Sequence, residues 1–256
     1  MQVNQRLGPL PGHGGQPGPA DGTLPIGQYL AASGHVTSYT RDMRDGATSA
    51  SDLPPGELAF IFRSGSLCLA LCATVGERWR RNFERLRTPA DLARWYTEAG
   101  LLETAIPVTA AGLYQARVLR EAIYRIAKDL IAGRPPATAD EDIVNAAASA
   151  PPPVPQMNHG TATLAVPGPG AEQAALSAVA RDAIDLFTTP LRERIRECAS
   201  SQCGLLFLDL SRPGKRRWCA STACGTRARS AAYRKRRTQP LVADPLTAGT
   251  APAEPA

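Results

Sequence analysis

Four cysteines in the C-terminal third, Cys198, Cys203, Cys219 and Cys224, follow the order C-x4-C, fifteen intervening residues, C-x4-C. Two pairs at that spacing suit one tetrahedral ion gripped by two knuckles. Four thiolates select Zn2+ over hard cations and fill its coordination sphere, leaving no open position for a catalytic water. A structural zinc site is therefore expected, with iron as the minor alternative.

The same stretch concentrates the net positive charge. The whole chain is only +6, yet residues 191–237 hold 13 Lys/Arg against Glu193, Glu197 and Asp209, a net +10, so the remainder is −4. Clustered cations release counterions when they meet phosphates, so this asymmetry is the footprint of a polyanion-binding module. The expected nucleic-acid contacts are Arg212, Lys215, Arg216, Arg217, Arg227, Arg229, Arg234, Lys235, Arg236 and Arg237. Guanidinium groups bind phosphate or guanine bidentately. Trp218 and Tyr233 could stack on bases or pack on the metal site; for Trp218, beside a ligand, packing is the expectation.

These residues need a small scaffold. LLFLDL reads as a strand, Arg212-Pro213-Gly214-Lys215 as a type II turn, and KRRWC as the returning strand, after which Cys224 opens a helix. Knuckle, hairpin, knuckle and helix make a treble-clef-like finger. In its helix, GTRARSAAYRKRR, Ala228, Ala231 and Ala232 form a small stripe for packing on the hairpin. So few buried side chains cannot stabilise about 40 residues without metal.

The preceding chain reads as mainly α. Residues 1–56 are crowded with Gly, Pro, Ser and Thr and read as a disordered extension, residues 57–190 as a helical domain, 191–237 as the finger and 238–256 as a flexible tail. A buried helix is expected over about 66–75. Thr88 caps a helix with Pro89 in its first turn, ended by Gly100, and Thr109 caps a longer one that runs to Gly133. A short helix over 140–149, a hairpin with strands near 154–157 and 161–166, and an amphipathic helix over 171–188 complete it, with a core separate from the finger's. Cys68 and Cys72, four apart, read as buried core thiols.

ERLRTPADLARWYTEAGL together with RIRECASSQCGLLFLDLSRPGKRRWCASTACGTRARSAAYRKRR resembles the bacterial CGNR zinc-finger family, whose members carry an N-terminal helical ABATE domain. The resemblance spans roughly residues 58–237, implies zinc on Cys198, Cys203, Cys219 and Cys224, and implies a stress-induced transcriptional regulator, in some descriptions an RNA-binding one. Two departures stand out. Thr226 replaces the Asn of the name-giving motif, and Ala70 and Ala73 stand where the family's LALDFVNT has a carboxylate and an amide.

A DNA-binding regulator is thus the leading expectation, with RNA binding as the alternative, since a basic helix does not by itself distinguish the two. The helical domain is expected to sense an unknown small-molecule effector or to form a homo-oligomer. An enzyme is not expected: the sequence has no phosphate-binding glycine loop or nucleophile motif, and His13, His35 and His159 fall in the extension or at a hairpin tip. Without a signal-peptide pattern or an apolar run long enough to span a bilayer, a cytoplasmic, non-membrane protein follows.

Overall fold

The computed structural model describes residues 53–166 and 170–238. His13, His35 and most of the expected extension lie outside the described residues, as does the tail beyond Thr238. At the near end, Leu53 is already buried and Pro55–Glu57 form a 3-10 turn.

Helix α1, Leu67–Cys72, is short because the chain turns at Ala73 and Thr74 into strand β1, Val75–Gly76, which pairs with β2, Phe83–Glu84. Residues 68–72 are all buried, so this apolar run is the centre of the molecule. No side chain of its own sequence caps α1 conventionally. Asp182, 114 residues downstream of Cys68, accepts from the Ser66 hydroxyl at 2.6 Å and from the Cys68 amide at 2.8 Å. A carboxylate at that end satisfies an orphan amide and complements the helix dipole.

Helix α2, Pro89–Glu98, opens with a capping box in which Thr88 and Asp91 satisfy each other's backbone amides. Helix α3, Ala110–Ile131, begins where the Thr109 hydroxyl accepts from the Gly112 amide at 2.9 Å. It buries Leu113, Ala116, Leu119, Ile123 and Ile126, which recur at three- and four-residue steps, and leaves Leu130, the next position on that face, half-buried. Helix α4, Thr138–Ala148, and helix α5, Ala171–Thr188, pack against each other and on α3, and α1 packs against α3 and α5. Between them, β3 (Val154–Asn158) and β4 (Thr161–Ala165) form a hairpin. His159 and Gly160 both take positive φ at its tip, the backbone a two-residue mirror-image turn requires. His159 is exposed there.

The finger's strands differ from the expected ones. Strand β6, Leu206–Leu208, pairs antiparallel with β5, Ile195–Glu197, rather than with residues 215–219, which form no strand. The cause is Asp209. Its fully buried carboxylate accepts from the Ser211 amide at 3.0 Å and the Arg216 amide at 2.8 Å, folding residues 209–216 into a compact loop before a second ladder can start. The turn in that loop closes from the Gly214 amide to the Ser211 carbonyl, one residue earlier than the Pro-Gly pair suggested.

Strand β6 also joins the two parts of the molecule. Side chains alternate across a strand: Leu206 and Leu208, with Ile195, enter the core formed by α1, α3 and α5, whereas Leu205 and Phe207 join Ala73 and the cysteines in a second cluster. The Leu208 amide donates to the Ser64 carbonyl at 2.7 Å, just before α1. The expectation of separate cores is corrected: β6 belongs to both.

Candidate metal centre and basic helix

The sulfurs of Cys198, Cys203, Cys219 and Cys224 all lie within 4.8 Å of one another. Cys203 to Cys219 is 3.7 Å and Cys219 to Cys224 is 3.8 Å. A tetrahedral ion with metal–sulfur bonds of about 2.3 Å needs sulfur–sulfur edges of about 3.8 Å, whereas a disulfide needs about 2.0 Å. The donor set therefore fits one metal ion. Hydrogen bonds from the Cys203 and Cys219 thiols hold Cys198 well below the usual thiol range, so the cluster favours a thiolate.

Two tight turns present the ligands. In the first knuckle the Cys203 amide donates to the Ser200 carbonyl, the Cys198 amide to the Leu205 carbonyl, and Gly204 has φ +64. In the second, a π-turn over Ser221–Gly225 closes from the Gly225 amide to the Ala220 carbonyl around Cys224. The Ala199 amide reaches the Arg217 carbonyl at 2.8 Å, tying the knuckles together. Cys198, Cys219 and Cys224 are buried, while Cys203 is half-exposed. Cys68 and Cys72 are different. Both are buried in the helical core, and burial pushes the Cys72 thiol up to about 12.

Helix α6, Thr226–Thr238, springs from the π-turn. Arg227, Arg229, Arg234, Arg236 and Arg237 are exposed, as are Arg212, Lys215, Arg216 and Arg217 on the loop before the second knuckle. The expected packing of alanines on a hairpin does not occur: Ala231 and Ala232 are exposed and Ala228 is half-buried. With the hairpin strand absent, nothing apolar is there to receive them.

The ABATE family, described as "Putative stress-induced transcription regulator", matches residues 65–190, and the CGNR zinc finger matches residues 194–237. The chain is a CGNR zinc-finger protein with an ABATE domain. None of the curated proteins compared with it matches.

In the CGNR finger the unpacked alanines leave a groove of about 600 Å³ between α6 and the first knuckle, lined by Ser200, Gln202, Arg217, Trp218, Arg227 and Arg234 among others, with no carboxylate in the lining. Trp218 is half-buried against the ligand cluster, as expected, with the Arg217 guanidinium 5.0 Å from its ring centroid. Tyr233 is exposed. Thr226, in the name-giving motif, donates its hydroxyl to the Ser221 carbonyl at 3.1 Å, tying the helix start back to the π-turn.

Not all the cations are available to a polyanion. Arg194 donates to the Asp209 and Ser211 carbonyls, Arg196 to the Glu193 and Gly214 carbonyls, and Arg216 to the Cys219 carbonyl at 2.7 Å. These three brace the finger. Arg216 is thus a ligand-loop brace as well as an exposed charge. Sequence reasoning missed this, along with Asp209, although Asp209 is the one acidic residue between Cys198 and Arg237. It also missed Trp79 and Lys128 of the ABATE domain, which meet Glu197 beside the first ligand.

Proposed function

We propose that this protein is a DNA-binding transcriptional regulator, responsive to stress, in which Zn2+ on the four cysteines folds the CGNR finger and α6 carries the contact to DNA. One observation carries the reading: α6 bears arginines around its circumference and its outward residues are uncovered, so it can enter a major groove. At 13 residues it is about 20 Å long, enough to cross that groove. DNA is placed before RNA on the family's description as a transcription regulator. RNA is the second reading because exposed Tyr233 and the groove beside Trp218 offer stacking surfaces to unpaired bases.

A structural role for the ion is supported by the donor set, in which four thiolates would take all four positions of a tetrahedral ion. Six free thiols suit a reducing cytoplasm, and no described helix is long and apolar enough to cross a membrane. The ABATE domain would supply effector binding or self-association.

Selection of bound sequences from a random duplex pool, with an RNA pool in parallel, tests the reading. Enrichment of a duplex motif is expected; enrichment from the RNA pool alone would replace DNA with RNA. Within an enriched site, Arg227→Ala should relax preference at one base position, a bidentate contact being worth about 1–3 kcal/mol. Equal loss of affinity for every sequence would make Arg227 a phosphate contact instead.

A further inference from the structure

Trp79 is an exposed large side chain, 56% accessible, in the loop of residues 77–82 between β1 and β2 of the ABATE domain. Its indole lies on the first knuckle of the finger. The indole Nε1 donates to Glu197 Oε1 at 3.0 Å, and Glu197 directly precedes the ligand Cys198. On the other side, Gly204 directly follows the ligand Cys203, and a Cβ there would come within 2.7 Å of the same indole nitrogen. One aromatic ring thus touches the residue entering the first ligand and the residue leaving the second. Lys128 of α3 completes the contact, with its Nζ 2.5 Å from Glu197 Oε2 and 4.9 Å from the indole centroid.

The loop that carries Trp79 is itself held on α3. Arg78 donates to both oxygens of Glu121, at 2.7 and 3.1 Å, and its guanidinium lies 4.0 Å from the Tyr124 ring centroid. Directly before Arg78, Glu77 lines one pocket together with Cys203, Cys224 and Arg227 of the finger. The ABATE domain therefore grips the finger at the first knuckle.

We propose that Trp79 is a lid on the first knuckle, supplied by the ABATE domain, that keeps Cys198 and Cys203 in register and so slows loss of the metal ion. Thiolate ligands leave an ion one at a time, and Cys203 is the most exposed of the four. Detaching it requires the turn of residues 198–204 to open, and the indole packed on Gly204 and bonded to Glu197 opposes that opening. The position of the loop on α3 thereby sets how readily the finger gives up its ion. This inference rests on metal occupying the four cysteines.

The test is transfer of zinc from the full-length, zinc-loaded protein to a chromophoric chelator. Trp79→Ala should release zinc about tenfold faster or more, the scale on which outer-shell partners act on metal affinity, with helicity and thermal midpoint of the helical part unchanged. Trp79→Phe, which keeps a ring over Gly204 and loses the hydrogen bond, should fall between. Glu121→Gln, acting through Arg78 from the far side of the loop, should also quicken release. A Trp79→Ala protein that is folded and releases zinc at the parent rate overturns the proposal. A parent protein that purifies without metal when zinc is supplied overturns the metal site itself, which is a separate failure.

Discussion

In the ABATE domain a six-residue helix, α1, packs against α3 and α5 and buries five of its residues, whereas the cluster around the metal site consists of Ala73, Leu205, Phe207 and three of the four cysteines, with Cys203, Ile61, Trp218 and Ala220 half-buried beside it. The first is an ordinary apolar core, to which each fully buried aliphatic side chain contributes about 1.5–3 kcal/mol. Half of the second is ligand. Take the metal away and what remains around the site is Leu205, Phe207, half-buried Trp218 and the hydrogen bonds of Asp209, Arg194, Arg196 and Arg216. Burial suffices for one part and coordination is needed by the other, yet β6 is common to both. A change in either part must reach its neighbour.

Removing a ligand should give the largest effect. Cys219→Ser should abolish metal binding and unfold the finger. Because Ile195, Leu206 and Leu208 then leave the shared core, the helical part should lose thermal midpoint by several degrees while retaining its far-UV helical signal. Elemental analysis and a melting curve check this. An unchanged helical midpoint would mean two independent cores.

The next effect starts within the ABATE domain. Arg120 is fully buried and donates to both oxygens of Glu84 at 2.8 Å, to Glu121 at 2.8 Å and to Thr74 at 3.0 Å. Arg120→Ala removes the cation shared by Glu84 and Glu121, leaving Glu121 to Arg78 and Glu84 to Arg117 alone, and should cost about 3 kcal/mol, read from denaturant unfolding. A loss below about 1 kcal/mol would show that water can replace the guanidinium.

Acid should expose the same lattice more gently. Burial pushes the Glu121 carboxyl up, but Arg120 and Arg78 more than offset it and hold it at about 2, against an ordinary 4.5. A carboxyl depressed in the folded state contributes its full stability above the ordinary value and loses it as pH falls toward the folded one. The thermal midpoint should therefore decline between pH 4.5 and about 2. Glu121→Gln, although less stable at neutral pH, should decline less steeply across that window; parallel curves for the two proteins would refute the assignment.

What the sequence disclosed follows the same division. The helices were legible because their signals are local: Thr88 with Pro89 and Asp91, Thr109 before Gly112, and Gly133 after the last apolar turn all act within a few residues. The cysteine spacing was legible for the same reason, since each knuckle is six residues long. The partner of β6 was not. Ile195–Glu197 is three residues with two charges, and the LFL strand shows no preference for it over KRRWC until Asp209 folds the intervening loop. Asp182 capping α1, Arg120 bridging α3 to β2, and Trp79 on Gly204 are likewise contacts between residues far apart in the chain. A lone acid in a basic stretch and a glycine directly after a ligand were the available hints.

Whether the metal-folded finger is a polyanion-binding surface is read most directly from the salt dependence of binding. With Arg194, Arg196 and Arg216 engaged in bracing, and not every remaining cation able to reach one backbone, about five to seven phosphates should be engaged. Anisotropy titrations of a labelled duplex with the zinc-loaded protein should then give a log–log salt slope of about −4.5 to −6. Neutralising Arg234, Lys235, Arg236 and Arg237 together should flatten it by roughly one unit for each phosphate that is no longer neutralised. A slope near zero for the zinc-loaded parent, or one unchanged in the quadruple variant, would contradict the assignment of nucleic-acid binding to α6.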